Sequence, residues 1–98
     1  MTQILIADDH PLFRLALTQA LRAIAPDAAL IEADSLAAAR AQLDARPDVD
    51  LVLLDLHLPD SHGLMALAEL RAEHPAVAVV MISANEDPAV IRRALAFG

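Results

Sequence analysis

Three acidic side chains and one hydroxyl each follow a short apolar run, which is an unusual place for polar groups. Asp8 and Asp9 follow ILIA, Asp55 follows LVLL, and Ser83 follows VVMI. A lone aspartate at the end of a strand is usually a turn or cap residue, and an acidic pair before a helix often faces the helix dipole. The recurrence of polar groups after three apolar runs favours one shared site over three separate caps.

The elements that position these residues follow from apolar runs separated by prolines and acids. Strands are predicted at 3–8, 29–33, 50–55 and 76–82, and helices from Pro11 to the break at Pro26, from the N-cap Ser35 to about Arg46, over 63–74, and from Asp87 and Pro88 onward to Gly98. The strands are continuously apolar and do not alternate with polar residues. This pattern predicts an α/β fold, a doubly wound parallel sheet with helices on both faces.

The carboxyl ends of the strands in an open parallel sheet share one edge, and ligands bind there. If the first and third strands are neighbours, Asp8, Asp9 and Asp55 meet in one small pocket, with Ser83 on the next strand. Two carboxylates about 4 Å apart repel each other by about 4 kcal/mol at an effective dielectric constant near 20. The group must therefore take up protons or hold a cation, and ligands that are all oxygen favour Mg²⁺ or Mn²⁺.

The composition excludes several classes of function. The chain has fourteen acids against seven basic residues, all arginine, so it lacks the positive surface of a nucleic-acid-binding domain. It has no cysteine, no apolar run of the roughly 20 residues that a membrane span needs, and no signal-like segment. We therefore expect a cytoplasmic protein that binds neither nucleic acid nor membrane.

Three histidines fall near the predicted acidic edge. His10 follows the first strand, and His57 and His62 follow the third. Their spacing matches no established metal motif, and histidines are common in surface loops. The sequence therefore favours three solvent-facing loop residues over a transition-metal site.

The motifs DDHPLFR after the first strand, LLDLHLPDSHGL around the third and MISAN after the fourth resemble those of a known family. Together they are similar to the response-regulator receiver domain of bacterial two-component signalling, and most similar to its NarL/FixJ-like group. The resemblance covers residues 1–98 as one receiver domain and implies a flavodoxin/CheY-like strand order, 2-1-3-4. It also implies that the domain controls an output domain, DNA-binding and transcriptional in that group.

The resemblance assigns a role to each of the candidate site residues. It implies that Asp55 accepts a phosphoryl group from a sensor histidine kinase, with Mg²⁺ as the cofactor. The implied metal ligands are Asp8, Asp9, Asp55 and the backbone carbonyl of His57. Ser83 matches the hydroxyl that turns toward the phosphoryl group in the family.

The sequence departs from the family pattern after the fourth helix. The family's fifth strand and fifth helix have no counterpart before Gly98, and the lysine on that strand is missing because the 98 residues contain none. We expect metal binding to persist without that lysine, whereas phosphorylation of Asp55 depends on it more. The fourth strand is then an apolar edge, which predicts a homodimer or a swapped oligomer.

Two other classes of protein compete with this interpretation. A receiver-like interaction module that never takes phosphate would agree with the missing lysine but not with the acidic group. A phosphatase of the haloacid dehalogenase type also uses a strand-end aspartate and Mg²⁺, but it carries an acid two residues later, where this chain has His57. A dinucleotide-binding domain is excluded because the first turn has no glycine. Since neither the phosphatase nor the dinucleotide-binding class fits, the chain is not expected to be an enzyme.

Overall fold

Strands and helices alternate along the chain, as the punctuated apolar runs predict. The computed structural model describes residues 2–61 and 64–82. Its elements are β1 (Gln3–Ala7), α1 (Pro11–Ile24), β2 (Ala29–Ala33), α2 (Leu36–Ala45), β3 (Leu51–Asp55), α3 (Leu64–Glu73) and β4 (Ala78–Ile82). None of these helices is long and apolar enough to cross a membrane. The helix predicted after Asp87 lies outside the described residues.

The four strands form one parallel sheet in the order β2-β1-β3-β4. The predicted doubly wound architecture and strand order are therefore confirmed. In the register of the sheet, Ala7 of β1 pairs with Leu54 of β3, and Asp55 pairs with Ile82 of β4. The residues that follow β1 consequently lie beside the last residue of β3.

Helices cover both faces of the sheet, which is why the strands are continuously apolar. The α1 face buries Ile4, Ile6, Leu17, Leu21, Leu53 and Ile82. The opposite face packs against α2 and α3 and buries, among others, Leu5, Leu43, Val52, Leu54 and Leu70. Val52, Leu53 and Leu54 have no exposed surface. The strand that ends at Asp55 is thus held from both sides.

Two side chains cap the N-terminus of α2. Ser35 Oγ accepts a hydrogen bond from the Ala38 N–H at 3.0 Å, which confirms the predicted N-cap. The Asp60 carboxylate accepts from the N–H groups of Leu36 at 2.7 Å and Ala37 at 3.0 Å. These bonds satisfy three N–H groups that have no partner within the helix. The loop after β3 is thereby tied to the start of α2.

Candidate functional site

Three carboxylates meet at the carboxyl ends of β1 and β3. Asp8 and Asp9 follow β1 directly, and Asp55 is the last residue of β3. One ligand atom from each of these acids and one from His10 lie within 4.8 Å of one another. Asp8 and Asp55 are fully buried, whereas the Asp9 side chain is one-third exposed. The structure therefore brings the three acids together, while their roles as metal ligands stay a prediction.

Backbone hydrogen bonds hold both strand ends in position. The Asp8 N–H donates to the Ala33 carbonyl at 2.9 Å, and the Leu56 N–H donates to the Ile82 carbonyl at 2.8 Å. The parallel hydrogen-bond pattern thus extends one residue beyond each strand, to Asp8 after β1 and to Leu56 after Asp55. A carboxylate on such a backbone has little freedom to move away from its neighbours.

Each of the two buried acids uses one oxygen to support the turn that follows it. Asp8 Oδ1 accepts the His10 N–H at 2.6 Å, and Asp55 Oδ1 accepts the His57 N–H at 3.0 Å. The second oxygen of each acid is buried and has no hydrogen-bond partner among the residues that the structure describes, and the same is true of Asp9 Oδ1. Buried polar atoms without partners are rare in proteins and destabilising. A cation in contact with these three oxygens would remove that penalty.

Burial and the neighbouring charge both affect the protonation of Asp8. Burial raises the pKa of the Asp8 carboxyl, and the negative charge of Asp55 raises it further. Hydrogen bonds from His10 lower that pKa in part, but the net shift is upward. The ionised pocket is therefore electrostatically unfavourable without a cation, as the sequence predicts for an acidic group of this kind.

The imidazole of His10 lies within the acidic group. Its Nδ1 is 3.1 Å from Asp9 Oδ1, 3.2 Å from Asp8 Oδ1 and 3.4 Å from Asp55 Oδ2. Only the contact with Asp8 has the geometry of a hydrogen bond. His10 is thus a half-exposed loop residue, as the sequence favours, but its ring also contacts the acids, which the sequence analysis did not predict. The sequence carried a signal, since His10 directly follows the acidic pair, but spacing alone does not set the direction of a ring.

The charge of the His10 imidazole responds to these neighbours. Burial lowers the pKa of His10, but the hydrogen bond to Asp8 and the negative charges of Asp9, Asp8 and Asp55 outweigh burial, so the net shift is upward. The half-exposed ring can thus partly neutralise the acids when no metal is present.

The other predicted site residues differ in what the structure says of them. The His57 side chain is exposed, and its backbone N–H donates to Asp55 Oδ1. The role of the His57 backbone carbonyl as a metal ligand stays a prediction. Ser83 and His62 lie outside the described residues.

Arg14 is a residue at this edge that the sequence analysis did not single out. Its guanidinium donates to the Asp8 carbonyl at 2.6 Å and to Glu32 Oε1 at 2.9 Å. It therefore holds the backbone that carries the acidic pair. A groove of about 450 Å³ between α1 and β2 is also lined by Arg14 and Glu32, but neither Asp8 nor Asp55 lines it. The acidic pocket is thus separate from this groove.

The fold and the site together define a doubly wound α/β domain with an acidic pocket at the switch point of its sheet. A family model for the response regulator receiver domain matches residues 4–98. The chain belongs to the response regulator receiver domain family.

Individual relatives agree with this assignment. The glycerol metabolism activator of Pseudomonas putida is 42% identical over 98 residues, which are 100% of this chain and 44% of that protein. The nitrate/nitrite response regulator protein NarL of Escherichia coli K12 is 35% identical over 82 residues, 84% of this chain and 38% of that protein. The chain thus spans less than half the length of these relatives.

A solved structure of a receiver also superposes well on the described fold. The MaeR response regulator bound to beryllium trifluoride matches with a TM-score of 0.75 and 32% identity, covering 100% of this chain and 80% of that chain. The resemblance that the three sequence motifs indicate is confirmed, and the chain is a receiver domain of a two-component response regulator.

Proposed function

We propose that this receiver domain accepts a phosphoryl group on Asp55 with the help of Mg²⁺ or Mn²⁺. The observation that carries the proposal is a set of three buried carboxylate oxygens, one each from Asp8, Asp9 and Asp55, that have no hydrogen-bond partner within residues 2–61 and 64–82. Oxygen ligands of this kind fit a hard divalent cation. The proposed ligands are these three acids and the backbone carbonyl of His57.

The position of Asp55 suits a nucleophile. Its Oδ1 accepts the His57 N–H, and its Oδ2 belongs to the proposed metal ligands, so Oδ1 is the oxygen proposed to attack phosphorus. A fully buried residue at the end of a rigid strand presents that oxygen in one orientation, which reduces the entropic barrier to reaction. When bound, the metal supplies positive charge that offsets the charge of the transferring group.

The phosphoryl donor in this proposal is a sensor histidine kinase, as is general for the family. Asp55 then acts as an acceptor of the phosphoryl group, and the domain is a switch and not an enzyme in its own right. Ser83, beyond the described residues, is proposed to donate a hydrogen bond to a phosphoryl oxygen. The whole of residues 1–98 is proposed to form this one receiver domain.

The output of the phosphorylated domain is also a proposal. The chain spans 44% of the Pseudomonas relative and 38% of the Escherichia one, so more than half of each relative lies outside the matched region and is long enough for a separate output domain. We propose a DNA-binding, transcriptional output and a homodimer or swapped oligomer that forms through β4. Among the described residues β4 pairs with β3 alone, and Val80 on it is exposed.

The test is a phosphorylation assay with a matched control. The protein, Asp55→Asn and Asp27→Asn are treated with acetyl phosphate, or with beryllofluoride, with and without Mg²⁺, and followed by intact mass and NMR. Asp27 is an exposed acid in the turn after α1, so its variant should behave as the parent protein does. We expect a Mg²⁺-dependent adduct that Asp55→Asn alone loses. A folded protein with Mg²⁺ shifts at Asp9 and Asp55 but no adduct would mean that phosphorylation requires the family's lysine. No response to either Mg²⁺ or the phosphoryl donor would support the interaction-module class.

A further inference from the structure

The arrangement around His10 differs from a site made of oxygen ligands alone. Its Nδ1 approaches one oxygen from each of Asp8, Asp9 and Asp55 at 3.1–3.4 Å. Two of these oxygens, Asp9 Oδ1 and Asp55 Oδ2, have no hydrogen-bond partner in the described part of the chain. Asp55 is fully buried, so its free oxygen faces a nitrogen and not solvent.

These separations match the edges of a coordination polyhedron. Nitrogen and oxygen ligands lie about 2.0–2.2 Å from a borderline metal, so two ligands of one ion are about 3.0 Å apart in an octahedron and about 3.4 Å apart in a tetrahedron. The observed distances from Nδ1 to Asp9 Oδ1 and to Asp55 Oδ2 are 3.1 Å and 3.4 Å. Each of these two separations is therefore compatible with a pair of ligands on one ion.

The nitrogen ligand determines which metal ions the site should bind more tightly. Mg²⁺ takes oxygen ligands, whereas imidazole suits Co²⁺, Ni²⁺, Cu²⁺ and Zn²⁺. Coordination through Nδ1 leaves Nε2, on the far side of the ring, to carry the proton of neutral imidazole. The ring is half exposed, so solvent and a metal ion have access to it.

We propose that His10 Nδ1, Asp9 Oδ1 and Asp55 Oδ2 form a mixed nitrogen and oxygen site for a divalent transition metal of the Co²⁺, Ni²⁺ or Zn²⁺ type. The site deepens the proposed function, because it shares Asp9 and Asp55 with the Mg²⁺ site. It predicts that His10 sets metal selectivity in this chain, with transition metals bound more tightly than Mg²⁺. Asp8 Oδ2, which is also buried and has no partner among the described residues, is a further candidate oxygen ligand.

Cobalt gives a direct test, because its binding is visible in the absorption spectrum and in NMR. The protein, His10→Asn and His74→Asn are titrated with Co²⁺ and, separately, with Mg²⁺. His74 follows α3, and its Nε2 lies 3.6 Å from Asp44, away from the acidic pocket, so its variant is the matched control. No phosphoryl donor is present, so the result does not depend on whether Asp55 is phosphorylated.

We expect His10→Asn to lower the affinity for Co²⁺ by at least about tenfold, as loss of a metal ligand should. The affinity for Mg²⁺ should stay within about threefold, because Mg²⁺ prefers the oxygen ligands that remain. Retained Mg²⁺ binding also shows that the variant is folded. In the unsubstituted protein, one hyperfine-shifted imidazole N–H signal should appear with Co²⁺ and persist in His74→Asn.

Three results would overturn the mixed site. The first is an equal loss of Co²⁺ and Mg²⁺ affinity in His10→Asn, and the second is an unchanged affinity for Co²⁺. The third needs no variant: Co²⁺ binding to the unsubstituted protein without any shifted imidazole signal. None of these results bears on the acceptor role of Asp55, which the beryllofluoride adduct in Mg²⁺ reports on its own.

Discussion

Replacing Asp8 by asparagine is expected to stabilise the metal-free protein at neutral pH. Asparagine keeps an oxygen that can accept the His10 N–H bond, and it replaces the unpartnered oxygen by an NH₂ donor. It also removes one of two fully buried negative charges, those of Asp8 and Asp55. The change therefore relieves repulsion with little loss of hydrogen bonding.

The size of the effect follows from the geometry. The acidic ligand atoms lie within 4.8 Å of one another. Two unit charges at that separation repel by about 3 kcal/mol at an effective dielectric constant of about 20. The charged oxygen of Asp8 makes a stronger bond to the His10 N–H than an amide oxygen does, which offsets about 1 kcal/mol of the gain. We expect a net increase of about 1–3 kcal/mol in the free energy of unfolding.

The sign of the pH dependence supports the same test. The pKa of Asp8 is raised by burial and by Asp55, so the folded state binds this proton more tightly than the unfolded state. The stability that this proton provides is fully present below the unfolded pKa and is lost as the pH rises through the folded pKa. In Asp8→Asn that fall in stability between acidic and neutral pH should become smaller.

Urea unfolding with a chelator, and then with Mg²⁺, measures both effects. At a Mg²⁺ concentration 100 times its dissociation constant, the parent protein should gain about 2.7 kcal/mol, and Asp8→Asn should gain less. Asp27→Asn, which removes an exposed acid outside the pocket, should change the metal-free stability by less than about 0.5 kcal/mol. The reasoning is refuted if Asp8→Asn destabilises the chelated protein, or if Asp27→Asn stabilises it equally.

Two further predictions concern the scaffold around the site. Asp60→Ala should lower the free energy of unfolding by about 0.5–2 kcal/mol, because the N–H groups of Leu36 and Ala37 lose their cap. These hydrogen bonds lower the pKa of Asp60 from 3.8. The stability that the ionised Asp60 provides is therefore present above the unfolded pKa and is lost as the pH falls through the folded pKa. Unfolding free energies of the parent and of Asp60→Ala that change equally as the pH is lowered would contradict this. Leu54→Ala should cost about 2–5 kcal/mol in chemical unfolding, because the side chain is fully buried, and the exposed Leu12→Ala should cost less than about 0.5 kcal/mol.

Much of the fold was predictable because its signals are local. Continuous apolar runs, Pro11 at the first position of α1 and Ser35 at the N-cap of α2 each report the conformation of a few neighbouring residues. The meeting of Asp8, Asp9 and Asp55 also followed from the sequence once the strands were parallel, because carboxyl ends share one edge. That inference assumed that β1 and β3 are neighbours in the sheet. The strand order β2-β1-β3-β4 confirms the assumption.

The Asp60 cap and the position of the His10 ring were not predictable in this way. Asp60 is 24 residues from the N–H group of Leu36, and no periodic pattern relates the two positions. His10 is adjacent to the acidic pair, but a different rotamer of its side chain would turn the ring away from the acids.

The sequence by itself therefore determined the element types, the parallel sheet and the edge at which the acids collect, because these depend on hydrophobic periodicity and on the direction of the strands. The tertiary structure was needed to establish which oxygens of Asp8 and Asp55 are held by the following turns and which have no partner among the described residues. It also decided that a nitrogen of His10 lies among them. Those outcomes depend on side-chain rotamers and on packing between segments that are distant in the chain, and the physical interactions that select them exist only once the sheet has formed.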